Sequence, residues 1–166
     1  MGTIKDCKPG WYDVVVRQEE KLLVDCFSRE DALQLGMLIV QNAKRDYGMG
    51  VAVKIQMEGT TAFSCAMGET GEQSYMWMAC KYNTFLRTGK SSMRVLAERK
   101  ENKVPFEPWC YQGMSYMLGG GAFPIRKRDG ELIGCILVSG LEHQEDHQLI
   151  VDSLAQYLKV TVESIV

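Results

Sequence analysis

His143 and His147 are the two histidines of the chain and lie four residues apart. This spacing can place both imidazoles on one face of a helix, where they could bind a metal ion. The residues between them do not complete a recognisable ligand set, so we assign no metal ligand. The alternative is a helix start, because Glu145 and Asp146 favour the positive end of a helix. His147 shares a stripe with apolar residues, which is more typical of a hydrogen-bonded core histidine.

Ser139 is a second candidate, because it ends an apolar run and precedes Gly140 and a helical pattern. Together with Asp146 and His147 it could form the serine, histidine and acid set of a nucleophilic enzyme. The surrounding residues lack the Gly-x-Ser-x-Gly pattern of a nucleophile elbow. Nothing in the sequence indicates that the three side chains lie within reach of one another, so catalytic residues stay unassigned.

Basic and hydroxyl-bearing residues form a third set that could converge on a carboxylate or a phosphate. Its members are Lys81, Arg87, Ser91, Ser92 and Arg126. A solvated helix face, or a network in which these groups bond only to one another, is the alternative interpretation.

Three consecutive glycines could bring backbone N–H groups close to the same anion. They are Gly119, Gly120 and Gly121. We expect the glycines and the basic set to form one ligand-binding pocket with Ser139, Asp146 and His147, within or between subunits. His147 would titrate in such a pocket, so we expect ligand binding to vary between pH 5 and 8.

Composition excludes several classes of partner. The chain has 19 basic and 21 acidic residues and a net charge of −2, without a long basic run, so a nucleic-acid partner is not expected. No apolar run approaches the roughly 20 residues of a membrane span, so no membrane partner is expected. The N-terminal residues lack the apolar segment of a signal peptide, and we expect a cytoplasmic protein whose six cysteines are reduced.

The candidate residues need a scaffold, and hydrophobic periodicity predicts an α+β protein with a single domain over 1–166. Two period-two hairpins with glycine-containing turns are predicted as antiparallel strands over 51–57, 60–67, 122–128 and 131–139. Ser28 is a good N-cap for a helix that ends at Gly48. Further helices are predicted over 12–23, 69–88, 91–100 and 144–164. The chain is expected to turn extended over 22–27 and to form a partly buried loop over 101–117.

Two motifs resemble a known family. The first reads Trp-x3-Lys-x-Asn-x3-Arg-x-Gly-x-Ser-Ser from Trp77 to Ser92, and the second comprises 123–126, 133–134, 139–141 and 145–147. Together they resemble the haem-degrading-domain superfamily, also called GlcG/HbpS-like, in the branch found in bacteria and fungi. The resemblance implies a profilin-like three-layer α/β/α sandwich with a five-stranded antiparallel sheet. It also implies homo-oligomers.

The resemblance favours a small-ligand-binding protein, with haem as the named ligand. Methionines could line a flat apolar ligand of this kind, although they more often fill gaps in a core. The methionines concerned are Met76, Met78, Met114 and Met117. One alternative is an enzyme acting on a small anionic metabolite, with His147 as acid or base and Lys81, Arg87 or Arg126 holding the substrate. A structural oligomer without catalysis is the other.

Overall fold

The computed structural model describes residues 6–101, 110–111 and 114–166, and only the backbone at 110, 111 and 114. The helices in these residues are α1 (Trp11–Lys21), α2 (Arg29–Tyr47), α3 (Glu72–Thr88), α4 (Ser92–Glu101) and α5 (His143–Leu158). The strands are β1 (Leu23–Val24), β2 (Ala52–Met57), β3 (Thr60–Ala66), β4 (Cys110–Tyr111), β5 (Met114–Ser115), β6 (Ala122–Lys127) and β7 (Leu132–Ser139). None of the helices in the described residues has the length and apolar character needed to cross a membrane.

Five strands form one sheet in the order β1-β6-β7-β2-β3. Both predicted hairpins are confirmed, since β2 pairs with β3 and β6 pairs with β7 in antiparallel fashion. The expectation of a purely antiparallel sheet was wrong, because β1 runs parallel to β6. A tight hairpin turn forces neighbouring strands to be antiparallel, whereas β1 and β6 are far apart in the chain and escape that constraint.

Local signals in the sequence account for α2. The Ser28 hydroxyl accepts a hydrogen bond from Asp31 N, and the Asp31 carboxylate accepts one from Ser28 N, which completes a capping box. Gly48 ends the helix in the left-handed conformation. A Cβ atom built on Gly36 would lie 2.3 Å from the ring of Phe63, so this glycine lets α2 pack closely onto β3.

Successive side chains of a strand point to opposite faces of the sheet. The apolar side chains of the strands therefore lie in two separate clusters. One set packs with α2 and α5 and includes Val53, Ile55 and Val138. The alternate set, which includes Ala52 and Leu137, packs with Met78 and Phe85 of α3. Helices therefore contact both sets of side chains, and β7 contributes to each. The cysteines whose side chains are described are free thiols: Cys7, Cys26, Cys65, Cys80 and Cys135.

The predicted start of α3 and the predicted end of α5 were wrong. α3 begins at Glu72 and not at residue 69, because Thr70 turns back and its hydroxyl donates to Met67 O at 2.6 Å. α5 ends at Leu158 and not at residue 164, because Lys159 adopts a left-handed φ of 57°. The chain beyond Lys159 instead follows α1, where the side-chain amide of Gln18 donates to Glu163 O at 2.7 Å.

Part of the predicted loop over 101–117 forms two short strands. Residues 102–109 and 112–113 lie outside the described residues. The short strands β4 and β5 pair within the remainder.

Candidate ligand-binding cleft

A cleft of about 340 Å³ lies where α3 faces the end of β7 and the start of α5. Its lining combines one half-exposed aromatic ring with polar and charged groups. The lining residues are Gln73, Ser74, Trp77, Lys81, Met117, Ser139, Gly140, Leu141, Glu142, His143 and Asp146. Gln73, Trp77 and Lys81 are spaced by four residues along α3 and therefore share one face of that helix.

A buried ion pair forms the innermost part of the cleft. Lys81 Nζ lies 3.0 Å from Asp146 Oδ2, and both side chains are only 2% exposed. Burial raises the pKa of Asp146 to about 6 from its ordinary value of 3.8, although the Lys81 ammonium acts to lower it. A carboxyl group with such a pKa changes its protonation state close to neutral pH.

The same two residues hold the turn between β7 and α5. Lys81 Nζ donates a second hydrogen bond to Val138 O at 2.9 Å, and Asp146 Oδ1 accepts one from Leu141 N at 3.0 Å. Between these anchors Gly140 adopts a φ of 141°, a conformation that favours glycine. The ion pair thus connects three elements and fixes the shape of one wall of the cleft.

The consecutive glycines lie against the protein itself. A Cβ atom built on Gly121 would be 2.5 Å from both Lys81 Nζ and Val138 O. One built on Gly120 would be 2.0 Å from His143 O and 2.7 Å from the Cβ of His147. Because glycine has no side chain, Lys81 packs directly against Gly121, and the first turn of α5 packs directly against Gly120. Gly119 is also buried, and none of the three lines the cleft.

His143 is the first residue of α5 and the histidine that lines the cleft. Gly120 N donates to its Nδ1 at 3.1 Å, so Nδ1 is the acceptor nitrogen and the proton of the neutral ring is on Nε2. Metal-bound histidines usually show the opposite arrangement, in which the second ring nitrogen donates. No group of three or more metal-ligating side chains occurs among the residues that the structure describes.

His147 lies outside the cleft and is fully buried. Its Nε2 is 2.7 Å from the side-chain oxygen of Gln18, and no described residue forms a hydrogen bond with its Nδ1. Burial, with a smaller effect of His143, lowers the pKa of His147 to about 3. The expectation that His147 titrates between pH 5 and 8 was therefore wrong, because a buried imidazole without an acidic partner stays neutral.

The predicted basic and hydroxyl-bearing set is divided by the fold. Ser92 Oγ accepts from Ala122 N at 3.0 Å, and Ser91 Oγ accepts from Arg94 N at 3.1 Å at the start of α4. Arg126 donates to Gly89 O at 2.7 Å, and the Arg87 guanidinium lies 5.4 Å from the centre of the Tyr116 ring. These four predicted residues are outside the cleft lining, and their contacts connect elements of the fold.

Lys81, Ser139 and Asp146 are the predicted residues that do line the cleft. Sequence reasoning missed Trp77 as a site residue, although its position four residues before Lys81 in a helix was a usable signal. It also missed the lining role of Gln73, whose spacing from Trp77 is the same. Of the methionines proposed for a flat ligand, Met117 lines the cleft, Met78 is buried in the core and Met76 is exposed. The side chain of Met114 lies outside the described part of the chain.

The mixed five-stranded sheet and the helices that contact both sets of its side chains define an α+β domain. The family model described as "Haem degrading protein HbpS-like" matches residues 27–155. The chain belongs to this family, which confirms the resemblance seen in the two sequence motifs.

Similar proteins agree with this assignment. A UPF0303 protein of Brucella melitensis biotype 1 is 32% identical over 145 residues, which is 87% of this chain and 85% of the relative. The crystal structure of the Ybr137w protein superposes with a TM-score of 0.80 at 25% identity and covers 92% of this chain and 90% of that one. A structure titled "PduOC:Heme Complex" has a TM-score of 0.61 at 22% identity, with coverage of 84% and 99%, and supports the fold alone.

Proposed function

We propose that the protein binds a small planar ligand that carries a carboxylate, and that the cleft between α3, β7 and α5 is the binding site. The observation that carries this proposal is the buried Lys81–Asp146 pair, which opens onto a polar cleft beside a half-exposed tryptophan. Buried ion pairs are often no more stabilising than apolar replacements. A pair of this kind that lines a cleft therefore favours a role in binding over a role in stability alone.

The lining offers complementary contacts for such a ligand. Trp77 is 38% exposed and lines the cleft, so a planar group could stack on its ring. Ser139 supplies a neutral hydrogen-bond donor, and Lys81 supplies a positive charge. The cleft volume is near the lower end of the range for small-ligand sites, about 300–1,000 Å³.

The family name and the haem complex of a structural neighbour support a porphyrin as the class of ligand. The histidines of this chain do not fit the role of an iron ligand: His143 uses Nδ1 as an acceptor, and His147 is buried outside the cleft. We therefore propose that a porphyrin-type ligand is recognised through its planar ring and its carboxylates, and not through a histidine–iron bond.

A titration with haem and with iron-free protoporphyrin tests this function. We expect both to bind with affinities that differ by less than about tenfold, which corresponds to about 1.4 kcal/mol. Trp77→Ala should weaken both, whereas Leu33→Ala, a change of an exposed residue on α2, should leave both unchanged. Binding of haem without binding of protoporphyrin would support iron ligation and overturn the proposal. Equal binding by the Trp77→Ala variant would place the ligand elsewhere.

The enzymatic alternative receives less support from the geometry. His147, the proposed acid or base, does not line the cleft, and neither does Arg87 or Arg126. Lys81 is the member of that set which could contact a substrate there.

We also propose that copies of the chain associate. A second groove, of about 310 Å³, includes Tyr82 and Phe85 of α3 together with the exposed side chains of Leu86 and Leu132. Exposed apolar surface of this kind is typical of an interaction site.

The three-layer arrangement, the single domain over 1–166 and the cytoplasmic location stay predictions. The contacts of α2 and α5 with one set of strand side chains and of α3 with the other support the first of these.

A further inference from the structure

We infer that the cleft takes up a proton at Asp146 when it binds a carboxylate, so that anion binding and protonation are coupled at this site. The inference rests on the proposed function and adds how the site is regulated. It follows from the position of Asp146 relative to the positive charge that an anion would contact.

Lys81 is the cation in the described cleft lining, and its ammonium group already contacts a carboxylate. Asp146 Oδ2 lies 3.0 Å from Nζ, and both side chains are almost fully buried. A bound carboxylate would have to share this ammonium group with Asp146. Two negative charges beside one buried positive charge leave an uncompensated charge in a region of low dielectric constant.

Protonation of Asp146 removes that excess charge, and the hydrogen bonds that hold the turn between β7 and α5 remain. The neutral carboxyl keeps an oxygen that accepts from Leu141 N, so the turn between β7 and α5 retains its anchor. Lys81 Nζ keeps its hydrogen bond to Val138 O and gains freedom to face the ligand. The proton comes from the solvent, and it returns there when the anion leaves.

Two charged neighbours shift the pKa of Asp146 in opposite directions. Glu145 raises the pKa of Asp146, and Lys81 from α3 lowers it. Glu142, the N-cap of α5, and His143, its first residue, line the same cleft. The Asp146 charge also raises the pKa of Tyr47 on α2. Burial has already raised the pKa of Asp146 to about 6, so roughly a tenth of the molecules carry the proton at pH 7 before any ligand binds.

Benzoate is a suitable probe, because it combines a planar ring for Trp77 with one carboxylate for Lys81. Benzamide has the same shape without the charge. Calorimetric titrations at pH 7 in Bis-Tris and in Tris, cationic buffers with different ionisation enthalpies, report the number of protons taken up. We expect close to one proton per benzoate and none per benzamide. We also expect the affinity for benzoate to fall by about tenfold per pH unit above the pKa of free Asp146.

Asp146→Asn should bind benzoate without proton uptake and with an affinity that no longer changes across this pH range. Asp152→Asn is the matched control on the same helix, outside the cleft, and should behave like the parent protein.

Because the comparison of benzoate with benzamide uses the parent protein, it stands even if Asp146→Asn fails to fold. Benzoate binding that depends on Trp77 but takes up no proton would overturn this inference and leave the proposed function in place. Absence of benzoate binding, together with absence of porphyrin binding, would overturn both.

Discussion

The side chain of Lys81 packs directly against the backbone of Gly121: a Cβ atom on Gly121 would lie 2.5 Å from Lys81 Nζ. Gly121 also has a φ of 126°, where side chains other than hydrogen are strained. The ammonium group can reach Asp146 because residue 121 is a glycine. Two features that appear separate in the sequence, a lysine in a helix and a glycine before a strand, therefore form one structural unit.

Gly121→Ala should destabilise the protein by about 2 kcal/mol or more, since it adds a clash with Lys81 and Val138 O to the strain of a positive φ. Gly130→Ala is the matched control. Its φ is 96°, but nothing lies within 4 Å of the added Cβ, so only strain is expected. Urea unfolding of the two variants measures the difference. Equal losses of stability would show that a Cβ atom at position 121 does not clash with Lys81.

Lys81→Met should lower the free energy of unfolding by about 3–5 kcal/mol at neutral pH, because it leaves the Asp146 carboxylate buried without its partner. The loss should shrink at lower pH as Asp146 becomes neutral. The double variant Lys81→Met/Asp146→Leu should lose less than Lys81→Met alone, since no buried charge remains. Arg17→Met, which breaks an exposed pair with Glu163, is the control and should change stability little. A double variant no more stable than Lys81→Met would contradict the electrostatic explanation.

His147 should make the folded state less stable as the pH falls from about 6.5 towards 3. Its pKa is about 3 in the folded protein and 6.5 in a model peptide, so the unfolded chain binds the extra proton in this interval. Asp146 acts in the opposite direction between 3.8 and about 6, because its folded pKa is the higher one. Unfolding measured against pH, in the parent and in His147→Gln, separates the two contributions.

Imidazole NMR signals provide the direct check on His147. They should show a neutral ring at pH 5 in the folded protein. A histidine at position 147 that titrates near pH 6.5 would contradict the burial that the structure assigns to it.

Self-association should depend on the groove that contains Leu86 and Leu132, which are 60% and 39% exposed. Light scattering at micromolar concentration should give a mass above the 18.7 kDa of one chain. Leu86→Glu should lower that mass, because it places a charge in the apolar groove. Leu33→Glu, which changes an exposed leucine on α2, should leave the mass unchanged. A parent protein that scatters as an 18.7 kDa monomer would contradict association altogether.

Some features of this protein could be predicted because their causes lie within a few residues of one another. The capping box of α2 needs only Ser28 and Asp31, and the hairpin of β6 and β7 needs only the Asp129-Gly130 turn between two apolar runs. The family could also be identified from local motifs. For these features, the interactions that decide the structure are present in the sequence as short patterns.

The tertiary structure decided the features that depend on distant residues. Lys81 and Asp146 are 65 residues apart in the chain, and His147 and Gln18 are 129 apart. Whether a histidine titrates depends on its burial, and burial depends on how α1, α5 and the sheet pack together. The sequence by itself determined the α+β class, the hairpins and the family. Only packing decided that β1 is parallel to β6, that His147 is buried and neutral, and that Lys81, Ser139 and Asp146 meet in one cleft, because each results from contacts that no local pattern encodes.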